Sequence, residues 1–181
     1  INGIEISDFI FLIGTNPRYE ATILNARIRK SYLKNNTKIF SFNEVGDLTY
    51  PYKSLDGKLD TLKEIIEDRH AISEIIKKAK NPMIILGQSA LTQKYGKFIF
   101  ESFKNYLNNN KKILKDWNPL NIISENASTI GSLDLGIYQT INGLNNTLKN
   151  LQDHNYELVF LLGNDNLNFK KKNEFIVYQG S

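Results

Sequence analysis

Three tripeptides in this chain share one kind of chemistry: Gly14-Thr15-Asn16, Gly87-Gln88-Ser89 and Gly163-Asn164-Asp165. Each joins a glycine to small hydrogen-bonding side chains, and each directly follows an apolar run, Phe9 to Ile13, Met83 to Leu86 and Leu158 to Leu162. In open parallel sheets, ligands sit beyond the carboxyl ends of the strands. The three tripeptides should therefore line one edge together, where a nucleotide could bind. The same residues also have a plainer use, in which glycine lets a strand enter a helix and the polar groups cap helix ends. The plainer use is preferred, because neither G-x-G-x-x-G nor G-x-x-x-x-G-K-S/T occurs in the chain.

The remaining reactive side chains are scattered. His70 and His154 are the only histidines, far apart and without metal-spaced partners, so both read as surface residues. Asp165 stands just past a strand end, where catalytic groups are common, but no acid or base pairs with it. Asp8 and Glu20 flank the first unit without forming a carboxylate pair, and no G-x-S-x-G elbow is present. There is no cysteine, which excludes disulfides, an all-cysteine cluster site and a cysteine-liganded zinc within these residues. No catalytic, cofactor-binding or metal-binding residue is therefore expected in this segment.

The net charge of +4 comes from dispersed lysines with short clusters at Lys111-Lys112 and Lys170-Lys171-Lys172, the pattern of solvated faces rather than of a nucleic-acid surface. Arg18, Arg27, Arg29 and Lys30 make the first helix basic on its solvent side, either as a solvated face or as a docking surface for another protein. No apolar run is long enough to span a bilayer and no signal sequence is present, so membrane association is expected only through partners. The chain opens at Ile1 and closes on Gly180-Ser181 just after an apolar run, as expected of a piece cut from something longer.

The elements that must position these groups follow from periodicity. Phe9 to Ile13 is an unbroken apolar run ended by Gly14, which suits a strand buried on both faces. A helix follows with Ala21, Leu24, Ile28 and Tyr32 on one side. Lys38 to Phe42 reads as a second strand, and Val45 to Gly57 as a loop pinned by Leu48, Tyr50 and Tyr52. Leu59 to Lys80 is helical in two pieces, Pro82 to Gly87 repeats the strand-and-glycine theme, and Lys94 to Asn108 is a helix. Trp117-Asn118-Pro119 predicts a helix running to about Leu133, and a short helix is expected around Leu144 to Leu151. Leu158 to Leu162 and Glu174 to Tyr178 close the chain as strands. This alternation predicts one α/β domain over 1–181, or part of one: a three-layer α/β/α arrangement on a mainly parallel sheet, with Phe9–Ile13, Ile84–Leu86 and Leu158–Leu162 as central strands. Asn25 borders the apolar face of the first helix, and its amide is expected to brace the turn Gly14 to Pro17.

Gly14 to Lys30, GTNPRYEATILNARIRK, resembles a signature of the large iron–sulfur subunits of respiratory complex I. Asp47–Tyr52, Ala79–Gly87, Leu133–Gly136, Val159–Gly163 and Val177–Gly180 resemble further segments of that family in the same order, over nearly the whole chain. Thr22 departs from it, where the family usually has proline. The resemblance implies a fold like that of molybdopterin oxidoreductases such as formate dehydrogenase, in which the comparable sheet edge helps to hold the pterin nucleotide. It also implies a structural domain that has lost the molybdenum cofactor, within an enzyme carrying electrons from NADH to quinone coupled to proton pumping. Iron–sulfur clusters would lie in the missing N-terminal half. Partners would be that half and other peripheral-arm subunits, on the matrix side of the mitochondrial inner membrane; the compartment is suggested by the mitochondrial style of Asp47 to Tyr52. Two rival readings remain: a working molybdopterin oxidoreductase of the formate dehydrogenase type, and a nucleotide-binding domain of another oxidoreductase, which Pro82 to Gly87 would suit and Gly14 to Lys30 would not.

Overall fold

The computed structural model describes residues 3–126, 128–137, 141–163, 170 and 172–180. They group into two units, Ile1–Ala127 and Ser128–Ser181. The first unit is built on a parallel sheet of five strands, β1 (Phe9–Ile13), β2 (Lys38–Ser41), β3 (Lys53–Ser54), β4 (Pro82–Gly87) and β5 (Leu120–Ile123), in the spatial order β3-β2-β1-β4-β5. Its helices are α1 (Pro17–Glu20), α2 (Thr22–Asn35), α3 (Leu59–Ile66), α4 (Ala71–Lys78), α5 (Gln88–Leu91) and α6 (Gly96–Asn109).

β1 is the axis of this unit. All five of its side chains have no solvent exposure, and it is hydrogen-bonded to β2 on one side and β4 on the other. Alternation divides those side chains between two cores. Phe9, Phe11 and Ile13 pack with Leu62, Ile65, Ile72, Ile76, Ile99 and Phe103 from α3, α4 and α6. Ile10 and Leu12 pack with Leu24 and Ile28 of α2 and with Leu48 and Tyr50 of the following loop. Full burial of such side chains stabilises by roughly 1.5–3 kcal/mol each, which is why an unbroken apolar run takes the central place in the sheet. The result is the predicted α/β/α layering with a mainly parallel sheet.

Two expectations change. Residues from Trp117 onward do not start a helix; Leu120–Ile123 pairs with Ile84–Gly87 of β4 as the sheet's fifth strand. Pro119 can open either element, and here its carbonyl accepts from the Ile84 amide, so the free ladder of β4 decides the outcome. Trp117 is buried against the sheet's second core and donates its indole N–H to the Pro82 carbonyl at 3.0 Å. Leu158–Leu162 does form a strand, β6, but it lies in the second unit and pairs in parallel with β7 (Phe175–Gln179) as a two-stranded sheet. Leu158, Phe160 and Leu162 are exposed. An apolar run reports a need for cover, not which sheet it will join. The second unit also contains α7 (Ser128–Asp134) and α8 (Ile141–Gln152).

A short 3-10 turn, Ile4–Ile6, lies against α2 ahead of β1. Glu5 anchors it by accepting two bonds from Arg27, at 2.8 Å each. That guanidinium holds the Glu5 carboxyl down from 4.5 to about 2. A carboxyl lowered in the folded state adds stability that is full above its unfolded value and is lost as pH falls through the folded one. Urea midpoints of the wild type should therefore fall more between about pH 6 and about pH 3 than those of Glu5→Gln. Parallel acid profiles for the two proteins would show that the pair does not stabilise the fold.

Candidate functional site

At the carboxyl end of β1 the chain turns through Gly14 at φ +62° into α1. Beside it, β4 ends at Gly87 and passes into α5. These two turns are pressed together. A β-carbon placed on Gly87 would stand 1.9 Å from the Gly14 carbonyl oxygen, and one on Gly14 would stand 2.5 Å from the β-carbon of Ala90. Gly87 itself has an ordinary extended φ of −85°, so it is the close approach of backbone, not a special dihedral, that requires glycine there. The Ser89 hydroxyl donates to the Gly14 carbonyl at 2.6 Å and fastens the two turns to each other.

The polar groups of the first turn are also engaged within the chain. The Asn16 amide N–H donates to one Glu20 oxygen at 2.8 Å, and the Thr15 hydroxyl donates to the other at 2.7 Å. Both oxygens of one carboxylate thus take up donors of this turn. The Asn16 side chain caps α1 by accepting from the Arg18 amide and donates to the Val45 carbonyl. Arg18 donates to the carbonyl and carboxylate of Asp47 at 2.8 and 2.6 Å. Of the three predicted tripeptides, the structure brings the first two together and closes them on each other. Gly163 ends β6 in the second unit, with Asn164 and Asp165 outside the described residues.

The loop from Val45 to Tyr52 lies across α2, held by an amide that the sequence pointed to with the wrong partner. Asn25 is 6 % exposed, but it does not brace the Gly14–Pro17 turn. Its side chain donates to the Leu48 carbonyl at 3.0 Å and accepts from the Tyr50 hydroxyl at 2.8 Å. Burial pushes the Tyr50 hydroxyl well above the usual phenol range, so it remains a donor. The periodicity of α2 could show that Asn25 needed partners. It could not show that Leu48 and Tyr50 would fold back over it.

The other candidates have structural roles. Asp8 accepts from the amides of Lys80 and Asn81 at 2.7 and 2.9 Å, fixing the entry to β4. His70 caps α4 by accepting from the Ile72 amide. His154 is not a free surface side chain: its Nδ1 pairs with Glu174, a carboxylate only 3 % exposed. The Lys172 amide is the main cause holding Glu174 down to about 2, and His154 adds to it. Arg27 is engaged with Glu5 and Arg18 with Asp47, leaving Arg29 and Lys30 exposed without an ion-pair partner among the described residues. No three His, Asp or Glu side chains gather as a metal-ligand set, and no helix is long and apolar enough to cross a membrane, among the described residues.

A parallel sheet with glycine-ended strands and cover on both faces defines an open α/β domain, and the sequence comparisons specify its family. The model of the molybdopterin oxidoreductase family matches residues 1–181, and the chain belongs to that family. It is 39% identical over 178 residues to the NADH-ubiquinone oxidoreductase 75 kDa subunit of Reclinomonas americana, covering 98% of this chain and 26% of the relative. It is 35% identical to the mitochondrial NADH dehydrogenase (ubiquinone) iron-sulfur protein 1 of Solanum tuberosum, covering 99% of this chain and 24% of that protein. The mitochondrial NADH-ubiquinone oxidoreductase 78 kDa subunit of Candida albicans is 33% identical, with 99% and 24% covered. The chain thus spans about a quarter of the length of the curated relatives it matches.

Two measurements probe this site. Gly87→Ala should destabilise by at least about 3 kcal/mol in denaturant titration, because the added methyl must displace backbone. Gly131→Ala is the matched control: it sits in α7 with nothing within 4 Å of its β-carbon position, and alanine there should be neutral or stabilise by up to about 1 kcal/mol. Asn25→Leu should cost roughly 1–3 kcal/mol for each buried group it leaves unmet, despite its gain in apolar surface. In a double-mutant cycle, Tyr50→Phe should then cost clearly less in the Asn25→Leu background than in the wild type. Additive effects would mean that the bond seen between them contributes nothing.

Proposed function

We propose that this chain is a structural, cofactor-less domain of the large iron–sulfur subunit of respiratory complex I, the NADH:ubiquinone oxidoreductase that couples electron transfer to proton pumping. The observation that supports a cofactor-less role is the closed edge at Gly14 and Gly87. The family resemblance puts a pterin nucleotide at this edge, yet here the two turns touch, Ser89 ties them together and Glu20 takes the donors of the first turn. With no cysteine in these residues, the iron–sulfur groups for which the Solanum tuberosum relative is named would be held by the cluster-bearing half of the same subunit. In this reading the domain shapes and shields the peripheral arm, on the matrix side of the mitochondrial inner membrane, and its partners are the rest of its own subunit and neighbouring arm subunits. No step of the redox chemistry would run through residues of this segment.

Membership of the molybdopterin oxidoreductase family also supports a second reading, a working enzyme of the formate dehydrogenase type. Metal and pterin analysis of the purified full-length subunit separates the two. The expected result is iron and acid-labile sulfide without molybdenum, tungsten or an oxidisable pterin. Stoichiometric molybdenum with pterin would establish the second reading. Finding the intact protein free of the respiratory complex on native gels of mitochondrial membranes would overturn the first.

A further inference from the structure

α2 carries apolar side chains on two sides. Leu24 and Ile28 are buried in the sheet's second core, while Ile23 and Leu33 are 76 % and 69 % exposed. Ile23, Ala26, Lys30 and Leu33, all exposed, are spaced three, four and three residues apart, so they fall along one line of the helix surface. A single exposed leucine needs no explanation. Helix propensity does not account for the pair, since isoleucine forms helix less readily than alanine, lysine or glutamate.

The charge of this helix is all of one sign. It contains Arg27, Arg29, Lys30 and Lys34 and no aspartate or glutamate. Arg27 is paired with Glu5. Arg29, Lys30 and Lys34 are exposed and have no ion-pair partner among the described residues. Glu5 also attracts Lys30, but both of its oxygens are bonded to Arg27. Glu20 and Asp47 are likewise taken up, by the Thr15–Asn16 turn and by Arg18. Lys34 stands in the last turn of α2, where a cation complements the helix end without further purpose. Arg29 and Lys30 lie in the middle of the helix, so that account does not extend to them.

We propose that this face of α2 is the docking surface for a separate protein chain whose contacting surface is acidic, with carboxylates to meet Arg29, Lys30 and Lys34 and apolar groups to cover Ile23 and Leu33. Charge complementarity selects this occupant. A second copy presenting the same face would set cation against cation. Nucleic-acid phosphates would engage the cations but leave Ile23 and Leu33 uncovered. A helix lying on a membrane keeps its apolar and basic faces apart, whereas here Lys30 stands within the apolar line and the helix's other apolar face is buried. A tethered part of the same subunit would owe its encounter to the tether, while charge of one sign speeds the meeting of chains that diffuse separately. The proposal names the face by which this domain would meet a neighbouring arm subunit, and so rests on the complex I reading.

The test treats full-length subunit within the purified complex with a zero-length carbodiimide that joins amines to carboxylates, followed by peptide mapping. Links from Lys30 or Lys34 to aspartate or glutamate of one other polypeptide are expected. The affinity of the isolated subunit for that polypeptide should fall at least about tenfold in Arg29→Glu/Lys30→Glu and in Ile23→Asp, stay within about twofold in Lys30→Arg, and weaken with salt. Urea midpoints of these surface variants should match the wild type, which separates loss of docking from loss of folding. Links only to residues 1–181, to other parts of the same subunit or to a second copy would overturn the proposal, as would unchanged affinity in the variants. Binding of the isolated subunit to phosphatidylserine vesicles or to RNA that these variants abolish, with no link to a protein, would overturn it too. Absence of the subunit from the purified complex would count against the complex I reading. Links from Lys30 or Lys34 to one polypeptide of the assembly with which the subunit then purifies would still support this face, and their absence would overturn it.

Discussion

Burial of β1 on both faces is the constraint on which the rest of the first unit depends. A strand with five fully buried apolar side chains must have a hydrogen-bonded neighbour on each side and a covering layer on each face. β2 and β4 supply the ladders. α3, α4 and α6 cover the Phe9–Phe11–Ile13 face, while α2 with the Leu48–Tyr50 loop covers Ile10 and Leu12. The covering layers are therefore unlike each other. One is made mainly of helices, whereas the other needs a loop buried over the strand, and a buried loop carries backbone polar groups that require partners. Asn25 meets that need: its amide satisfies the Leu48 carbonyl and orders Tyr50, so one polar side chain makes an apolar face coverable by irregular chain.

The same strand sets the geometry of the carboxyl edge. Because β1 and β4 run in parallel register, with Ile13 opposite Leu86, their glycines arrive side by side. The turns meet at a distance that no β-carbon would permit at Gly87. This contact also draws Ser89 onto Gly14. On the other side of the turn, Glu20 accepts from the Asn16 amide, while the Asn16 and Arg18 side chains pin the loop at Val45 and Asp47. Packing, capping and loop attachment at this edge are thus one arrangement.

Much of this was legible in the sequence because it is local. The apolar run of β1, the period of α2 and the two helical pieces expected over Leu59 to Lys80, found as Leu59–Ile66 and Ala71–Lys78, depend on residue spacing that a single segment displays. The glycines at 14 and 87 were legible as turn points on one edge of a parallel sheet, but their adjacency depends on the strand order β3-β2-β1-β4-β5, which residue spacing does not show. What was not legible depends on which partner a segment finds. Leu120–Ile123 has a proline before it and could have continued as helix; the open edge of β4 makes it a strand. Leu158–Leu162 shows the same apolar signature as β1 but lies in a two-stranded sheet with β7. His154 and Glu174, twenty positions apart in sequence, gave no sign of being paired. Even β3, two residues within a presumed loop, is defined only by the edge it touches.

The glycines carry the final step. A glycine retained at the end of a parallel strand invites a ligand-based explanation, since phosphate-binding turns use glycine to bring backbone close to an anion. Here Gly87 is required by the backbone of Gly14 itself, and the amide of Asn16 is taken up by Glu20. Both residues would therefore be kept by a domain that binds nothing at this edge, because substituting Gly87 would force the central pair of strands apart at their ends. At this edge the contact of Gly87 with Gly14, the Ser89 bond to Gly14 and the two bonds to Glu20 are sufficient to account for the residues present.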